Sequence, residues 1–227
     1  MIPAAMTTVV SIDPLRPAAA VLREAVGVLR AGGRLVYPTD TFYGLGADAR
    51  NPDAVRALAL AKGRADDRPM PILIGDAEQL VAITAPLSDL ARMLVDRFWP
   101  GALTLVLPVL PGWEHLASAE GRVGVRLPDH PIPRALAILL GGPIVGTSAN
   151  RSGEPTPRDR SGILAQLSGR VDLLLDAGEL PPSKGSTVLD LSDAEPRTIR
   201  EGDLPLAAVR DALADFGMRA RIAEAER

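Results

Sequence analysis

Four segments of this 227-residue sequence carry side chains able to hold a phosphate or a small polar ligand. In Tyr37-Pro38-Thr39-Asp40-Thr41-Phe42-Tyr43-Gly44-Leu45-Gly46, two threonines and an aspartate lie between a predicted strand and two glycines. Hydroxyl donors beside closely approachable backbone suit ligand binding, and equally suit an ordinary turn. Ala61-Lys62-Gly63-Arg64, with Arg68 four residues on, puts three cations at a predicted helix C-terminus. They either complement the helix dipole or clamp a polyphosphate, arginine by bidentate contacts and lysine as a point charge. Gly146-Thr147-Ser148-Ala149-Asn150, then Ser152-Gly153-Glu154-Pro155-Thr156, place small hydroxyl and amide groups at another strand exit. These fit phosphate or ribose oxygens, or a capped turn. Lys184-Gly185-Ser186-Thr187 lacks the upstream glycine of a P-loop and leads into a strand rather than a helix, so it is not one.

Arg122 and Arg126 flank Val123–Val125 and share one face of an extended segment, and Arg200 follows another predicted strand. Cysteine is absent, which excludes disulfides, thiolate metal sites and a cysteine nucleophile. His115 and His130 are too few and too scattered for a histidine metal site or a Ser-His pair, and neither is assigned a role. With 25 basic against 28 acidic residues the formal charge is −3, which argues against a dedicated nucleic-acid coat. A coding bias accounts for 23 arginines against two lysines, and it marks Lys62 and Lys184 as the exceptions.

The elements that must position these loops alternate along the chain. Strands are predicted at Val9–Ile12, Arg34–Tyr37, Pro71–Ile74, Leu103–Leu107, Val123–Leu127, Pro143–Thr147, Val171–Leu175, Thr187–Leu191 and Arg197–Ile199. Helices are predicted over Pro17–Arg30, from Asn51-Pro52-Asp53 to Lys62-Gly63, from Asp76, and over Leu87–Trp99, Ile132–Leu140, Ser161–Leu167 and Leu206–Phe216, with a frayed tail beyond. Phe98-Trp99 before Pro100-Gly101 reads as core and helix closure rather than a base-stacking platform. The interleaving predicts an α/β (α+β) domain on a twisted mixed sheet. A mean hydropathy of +0.13 with 23% charged residues is a globular profile, and no apolar run of membrane-spanning length occurs. Met1–Thr8 lacks the layout of a secretory signal, so a cytoplasmic protein is expected.

In this order the segments resemble the YrdC-like family, which includes bacterial threonylcarbamoyl-AMP synthases. The carriers are Pro38-Thr39-Asp40-Thr41 with Tyr43-Gly44-Leu45-Gly46, Lys62-Gly63-Arg64, Phe98-Trp99-Pro100-Gly101 with Leu103-Thr104-Leu105, Val125-Arg126-Leu127-Pro128, Ser148-Ala149-Asn150 with Ser152-Gly153, and Ser186-Thr187-Val188. The resemblance runs from about Val9 to Gly202, the short single-domain form, and implies a catalytic domain over 9–202 with a C-terminal helix and tail over 203–227. It implies a positively charged concave cavity. It further implies synthesis of threonylcarbamoyl-AMP from L-threonine, bicarbonate and ATP, with Mg²⁺ and release of pyrophosphate. The adenylate would pass to a separate threonylcarbamoyl transferase complex that modifies tRNA, with direct tRNA binding also possible for such a protein.

By position in the family pattern, Lys62, Arg64, Ser148 and Asn150 are the catalytic signature. Arg68, Arg122, Thr156 and Arg200 join them around ATP, and Thr41, Leu73, Arg126, Gly146 and Ser186 surround threonine. Such a phosphorus displacement asks for positioning and charge neutralisation more than for a strong base. Lys62 and Arg64 are expected to face solvent, so that truncation costs activity rather than stability. Leu73 stands where many relatives carry a histidine, and no extra C-terminal domain is expected. Two other functions fit the same segments: a non-catalytic double-stranded RNA or tRNA-binding module, and a paralogue with another carbamoyl-transfer substrate.

Overall fold

The strand ahead of Thr39 is buried on both faces: Leu35 and Tyr37 enter one apolar cluster and Val36 another. Such two-sided burial is what interior strands of an α/β sheet require. In a computed structural model that describes residues 6–63, 69–193 and 196–215, the strands are β1 (Thr8–Ser11), β2 (Leu35–Tyr37), β3 (Gly44–Gly46), β4 (Ile72–Leu73), β5 (Leu103–Pro108), β6 (Arg122–Arg126), β7 (Ile144–Val145), β8 (Thr147–Ser148), β9 (Leu173–Asp176), β10 (Thr187–Asp190) and β11 (Arg197–Arg200). The helices are α1 (Ala19–Arg30), α2 (Pro52–Ala61), α3 (Asp89–Phe98), α4 (Pro131–Leu140), α5 (Arg160–Leu167) and α6 (Leu206–Asp215), with 3₁₀ turns at Ala77–Ala82 and Glu114–Leu116. Arg64, Arg68 and the tail from Phe216 lie outside the described residues.

The predicted single sheet is two. One has the order β1-β9-β2-β3-β8 and the other β11-β10-β5-β6-β4-β7, and each mixes parallel with antiparallel neighbours. The predicted strand Pro143–Thr147 is likewise two, broken at Gly146. Its first half pairs with β4 in the second sheet, and its second half pairs with β3 in the first. Gly146 leaves both ladders, and its N–H donates to the Pro71 carbonyl at 2.7 Å. The chain therefore steps from sheet to sheet where the predicted ligand loops begin.

Helices α1 and α4 pack together through Leu22, Val26, Leu29, Ile132 and Leu136 in a cluster that also takes Leu35 and Tyr37 of the first sheet and Leu73 and Ile144 of the second. The larger cluster lies between the two sheets, with α2, α3, α5 and α6 contributing Leu58, Leu94, Ile163 and Val209. Local signals start the helices where expected. Asn51 Oδ1 accepts from the N–H groups of Asp53 and Ala54 ahead of α2, and Pro52 opens it. Trp99 closes α3, buries its ring and donates its indole N–H to the Leu103 carbonyl at 2.7 Å, in the packing role expected for it.

The three-residue strand β3 escapes a periodicity reading because Gly-Leu-Gly has no alternation to detect. Its glycines have a steric cause. A Cβ on Gly46 would stand 2.6 Å from the Val145 carbonyl oxygen and 2.7 Å from the Tyr37 ring. Tyr37 crosses over β3 to donate its hydroxyl to that same carbonyl at 2.9 Å, so the ring occupies the space side chains would need.

Candidate active site

The loop from Pro38 to Tyr43 is shaped by Thr39. Its Oγ1 accepts from the N–H groups of Thr41 and Phe42 and donates to the Phe42 carbonyl at 2.6 Å, a side-chain-closed turn. That closure sets Thr41 beside Arg126, whose Nη1 donates to Thr41 Oγ1 at 2.9 Å. Arg126 comes from the end of β6 and is buried, with 5% exposure. Its Nε donates to the Gly101 carbonyl at 2.9 Å, and Nη2 lies 2.6 Å from Asp40 Oδ1.

Ser186 enters from the opposite wall, where its hydroxyl shares a hydrogen bond with Thr104 at 2.8 Å. Arg200 donates to the Ser186 carbonyl at 2.9 Å and leans over it. Burial holds the Arg200 pKa below its ordinary value, and the charge of Arg126 acts in the same direction. The Ser186 loop is carried by Gly202, where a Cβ would come 2.2 Å from the Gly185 carbonyl oxygen and 2.4 Å from Ser186 backbone carbon. Gly202→Ala is expected to destabilise the protein by about 2–3 kcal/mol through this backbone conflict. Denaturant unfolding checks it; an unchanged midpoint would contradict the close approach.

These groups enclose a cavity of about 280 Å³ lined by Thr41, Leu73, Arg126, Gly146, Ser148, Thr156, Ser186 and Arg200. Eight predicted site residues thus meet in one place. Leu73 forms an apolar wall against Gly146, where a Cβ would stand 2.4 Å from its Cγ. Thr39, Phe42, Tyr43 and Thr104 also line the cavity, although none was singled out as a ligand residue. Thr39 and Thr104 lie inside the quoted motifs, which was the available signal.

A second cavity of about 830 Å³ shares Pro69, Pro71, Thr104, Ser186 and Arg200 with the first and opens over β5, β6, β10 and β11. Arg122 stands on its rim. Asp190, buried at the end of β10, accepts from Arg122 at 3.3 Å and Arg197 at 3.1 Å. Burial works to raise the Asp190 pKa, but bonds from Ser192 and Arg197 with the charge of Arg122 outweigh it and hold the carboxyl below its usual range. Arg122 and Arg126 therefore serve adjoining lobes of one cleft, on the shared strand face that their spacing predicted.

Lys62 departs from expectation. It has 4% exposure and does not face solvent. Its Nζ donates to the Ser148 carbonyl, to the Asn150 carbonyl at 2.9 Å and to Asn150 Oδ1 at 3.2 Å. Asn150 Oδ1 also accepts from the Ser148 hydroxyl at 2.6 Å, and its Nδ2 donates to the Arg151 and Glu154 carbonyls. The helix C-terminus and the loop after β8 are thus tied by one buried ammonium group. An ammonium must be paired to be buried, and the Ser148 and Asn150 carbonyls and Asn150 Oδ1 are among its partners.

The histidines stay outside. His115 Nε2 lies 2.7 Å from the Ala49 carbonyl, and its ring stacks on Trp113. His130 caps α4 by accepting from the Ile132 N–H, and burial lowers its pKa. Burial also raises both buried tyrosines, Tyr43 to about 12, so neither is an acid at neutral pH. Lys184 is exposed and lines neither cavity.

Two mixed sheets and a cleft lined by Arg126, Arg200 and several hydroxyl groups define an α/β domain. The chain belongs to the Sua5/YciO/YrdC family, whose model, described as "Telomere recombination", matches residues 27–202. A threonylcarbamoyl-AMP synthase of Bacillus subtilis is 40% identical over 185 residues, which cover 81% of this chain and 54% of the relative. A provisionally named threonylcarbamoyl-AMP synthase of Mycobacterium tuberculosis is 41% identical over 192 residues, covering 84% of this chain and 88% of its own. The crystal structure of Pyrococcus abyssi Sua5 complexed with L-threonine superposes with a TM-score of 0.89 at 34% identity, covering 96% of this chain and 63% of that one. The chain thus spans the Mycobacterium relative nearly fully and a little over half of the Bacillus and Pyrococcus proteins.

Proposed function

We propose that this protein is a threonylcarbamoyl-AMP synthase, acting through the domain at 9–202. The observation that carries the reading is the pairing of two lobes on one wall: a small one around Arg126, and a larger one rimmed by Arg122. Amino-acid recognition needs a cation for the carboxylate and hydrogen-bonding groups for the side chain. Arg126 supplies the first, and Thr41 and Ser186 reach the threonine hydroxyl, while Leu73 and Gly146 bound the methyl side. ATP takes the larger lobe, with Arg122 and Arg200 toward its phosphates, and Ser148 and Thr156 meet it from the smaller lobe that they line. Arg64 and Arg68 complete this set from outside the described residues. The names of the relatives and the threonine-bound Pyrococcus structure support the same substrates.

The chemistry then follows from charge. Threonine's amine joins bicarbonate with loss of water to give a carbamate. A carbamate oxygen attacks the α-phosphorus of ATP, the bond to the β-phosphate oxygen breaks, and the electron pair leaves with pyrophosphate. Guanidinium groups fixed around the phosphates favour that displacement without a strong base. Lys62 and Asn150 act from behind, by holding Ser148 in place. Mg²⁺ would be brought by the triphosphate and would supply neutralisation of its charge beside Arg122 and Arg200. Among the described residues no group of three acidic or histidine side chains gathers to hold a metal.

The product suits a following transferase that carries the threonylcarbamoyl group to tRNA, in the cytoplasm. Among the described residues no helix is long and apolar enough to cross a membrane. The enclosed amino-acid-sized lobe favours catalysis over an RNA-binding module, which needs an open basic face. The test is pyrophosphate release with ATP, Mg²⁺, bicarbonate and L-threonine. Release is expected to require threonine; an unchanged rate on its omission would overturn the assignment.

A further inference from the structure

Arg126 is held on three sides by the protein, and the third side is acidic. Gly101 and Thr41 accept from Nε and Nη1, and Asp40 Oδ1 stands 2.6 Å from Nη2. Thr39 and Thr41 line the small cavity, yet Asp40 between them does not. The loop turns its hydroxyls toward the cavity and its carboxylate away from it, behind the arginine.

Arg126 Nη2 and Asp40 Oδ1 are both buried and lie 2.6 Å apart, so the carboxylate takes up that end of the guanidinium. Burial lowers the pKa of Arg126, and the negative charge of Asp40 works against that loss. Arg200 also lines the cavity, its described hydrogen bonds going to the uncharged Ser186.

We propose that Asp40 is a positioning residue for the amino-acid carboxylate: from behind the cavity it holds one end of the Arg126 guanidinium and so fixes the orientation of the cation that lines the cavity. This rests on the reading of the small lobe as the threonine site. Asp40 touches no substrate. Its effect reaches the ligand only through Arg126, and this dependence separates it from an acid that merely stabilises the fold.

The experiment is a double-mutant cycle on threonine-dependent pyrophosphate release with Asp40→Asn, Arg126→Gln and the double variant. Asp40→Asn is expected to raise the KM for threonine roughly tenfold or more, as loss of a charge-assisted contact does, and to leave the KM for ATP near the wild-type value. Adding Asp40→Asn to Arg126→Gln is expected to cost no further threonine affinity. An unchanged threonine KM in Asp40→Asn, equal losses in both backgrounds, or a parallel rise in the KM for ATP would each overturn the proposal. If Asp40→Asn fails to fold, Asp40→Glu carries the test, since it keeps the charge but displaces it by a methylene. A raised threonine KM with unchanged ATP KM then supports the role, and any other combination removes it. A wild-type protein that releases pyrophosphate without needing threonine removes the reading of the lobe itself, which is a different failure from an indifferent Asp40.

Discussion

Lys62→Met is expected to reduce threonine-dependent pyrophosphate release by about 10²-fold or more and to lower the unfolding free energy by about 2–4 kcal/mol. The two effects share a cause. The Lys62 ammonium is buried and donates to the Ser148 and Asn150 carbonyls and to Asn150 Oδ1. Methionine fills nearly the same space but removes the donor to the Asn150 carbonyl, at about 1–3 kcal/mol for a buried group left unpaired. Among the described residues it leaves Asn150 Oδ1 with only the Ser148 hydroxyl and the Ser148 carbonyl with only the Asn150 N–H. Removing a buried charge recovers part of that, which is why the sum is not the prediction. Loss of the tie also frees the loop after β8, and with it Ser148. Urea unfolding and the pyrophosphate assay on one preparation decide the matter. A variant as stable as wild type, with only its rate reduced, would restore Lys62 to the solvent-facing phosphate contact that the sequence suggested.

Arg126→Gln is expected to raise the KM for threonine by about 10²-fold, because it removes the carboxylate's cation from a site shielded from water. It is also expected to destabilise the fold by about 3–5 kcal/mol, the usual cost of breaking a buried pair by removing one partner. Here the stranded partner is Asp40, whose side chain is 16% exposed, so the lower end of that range applies. Steady-state kinetics in threonine at saturating ATP reads the first effect, and denaturant unfolding reads the second. A threonine KM within twofold of wild type would place the amino acid elsewhere.

Both predictions turn on contacts that no local pattern announces. The elements themselves were readable: Asn51-Pro52-Asp53 starts α2, the apolar spacing of α1 and α4 marks their buried faces, and the β6 arginines share one face as their spacing requires. The ligand loops were readable as well, because glycines, hydroxyls and cations cluster at strand exits. Pairing was not. Pro143 to Thr147 is one apolar run in sequence, and only the N–H of Gly146 turning to Pro71 shows that it divides between two sheets. Lys62 sits at a helix C-terminus in either reading; its burial depends on carbonyls of a loop far along the chain. Asp40 was inside a quoted motif, yet its partner Arg126 is distant in sequence, and charge pairing across such separation has no periodicity to betray it. Thr104 was inside a quoted motif, but its partner Ser186 is distant in sequence and meets it only once β5 and β10 pair in parallel, and Asp190 had no signal before its contact with Arg122.

The central claim is that one cleft joins threonine, bicarbonate and ATP. Mass spectrometry of the adenylate formed with ATP, Mg²⁺, L-threonine and ¹³C-bicarbonate tests it most directly. The account predicts a threonylcarbamoyl-AMP heavier by the one labelled carbon, appearing only when threonine is present. An adenylate without the label, or no adenylate alongside released pyrophosphate, would contradict it.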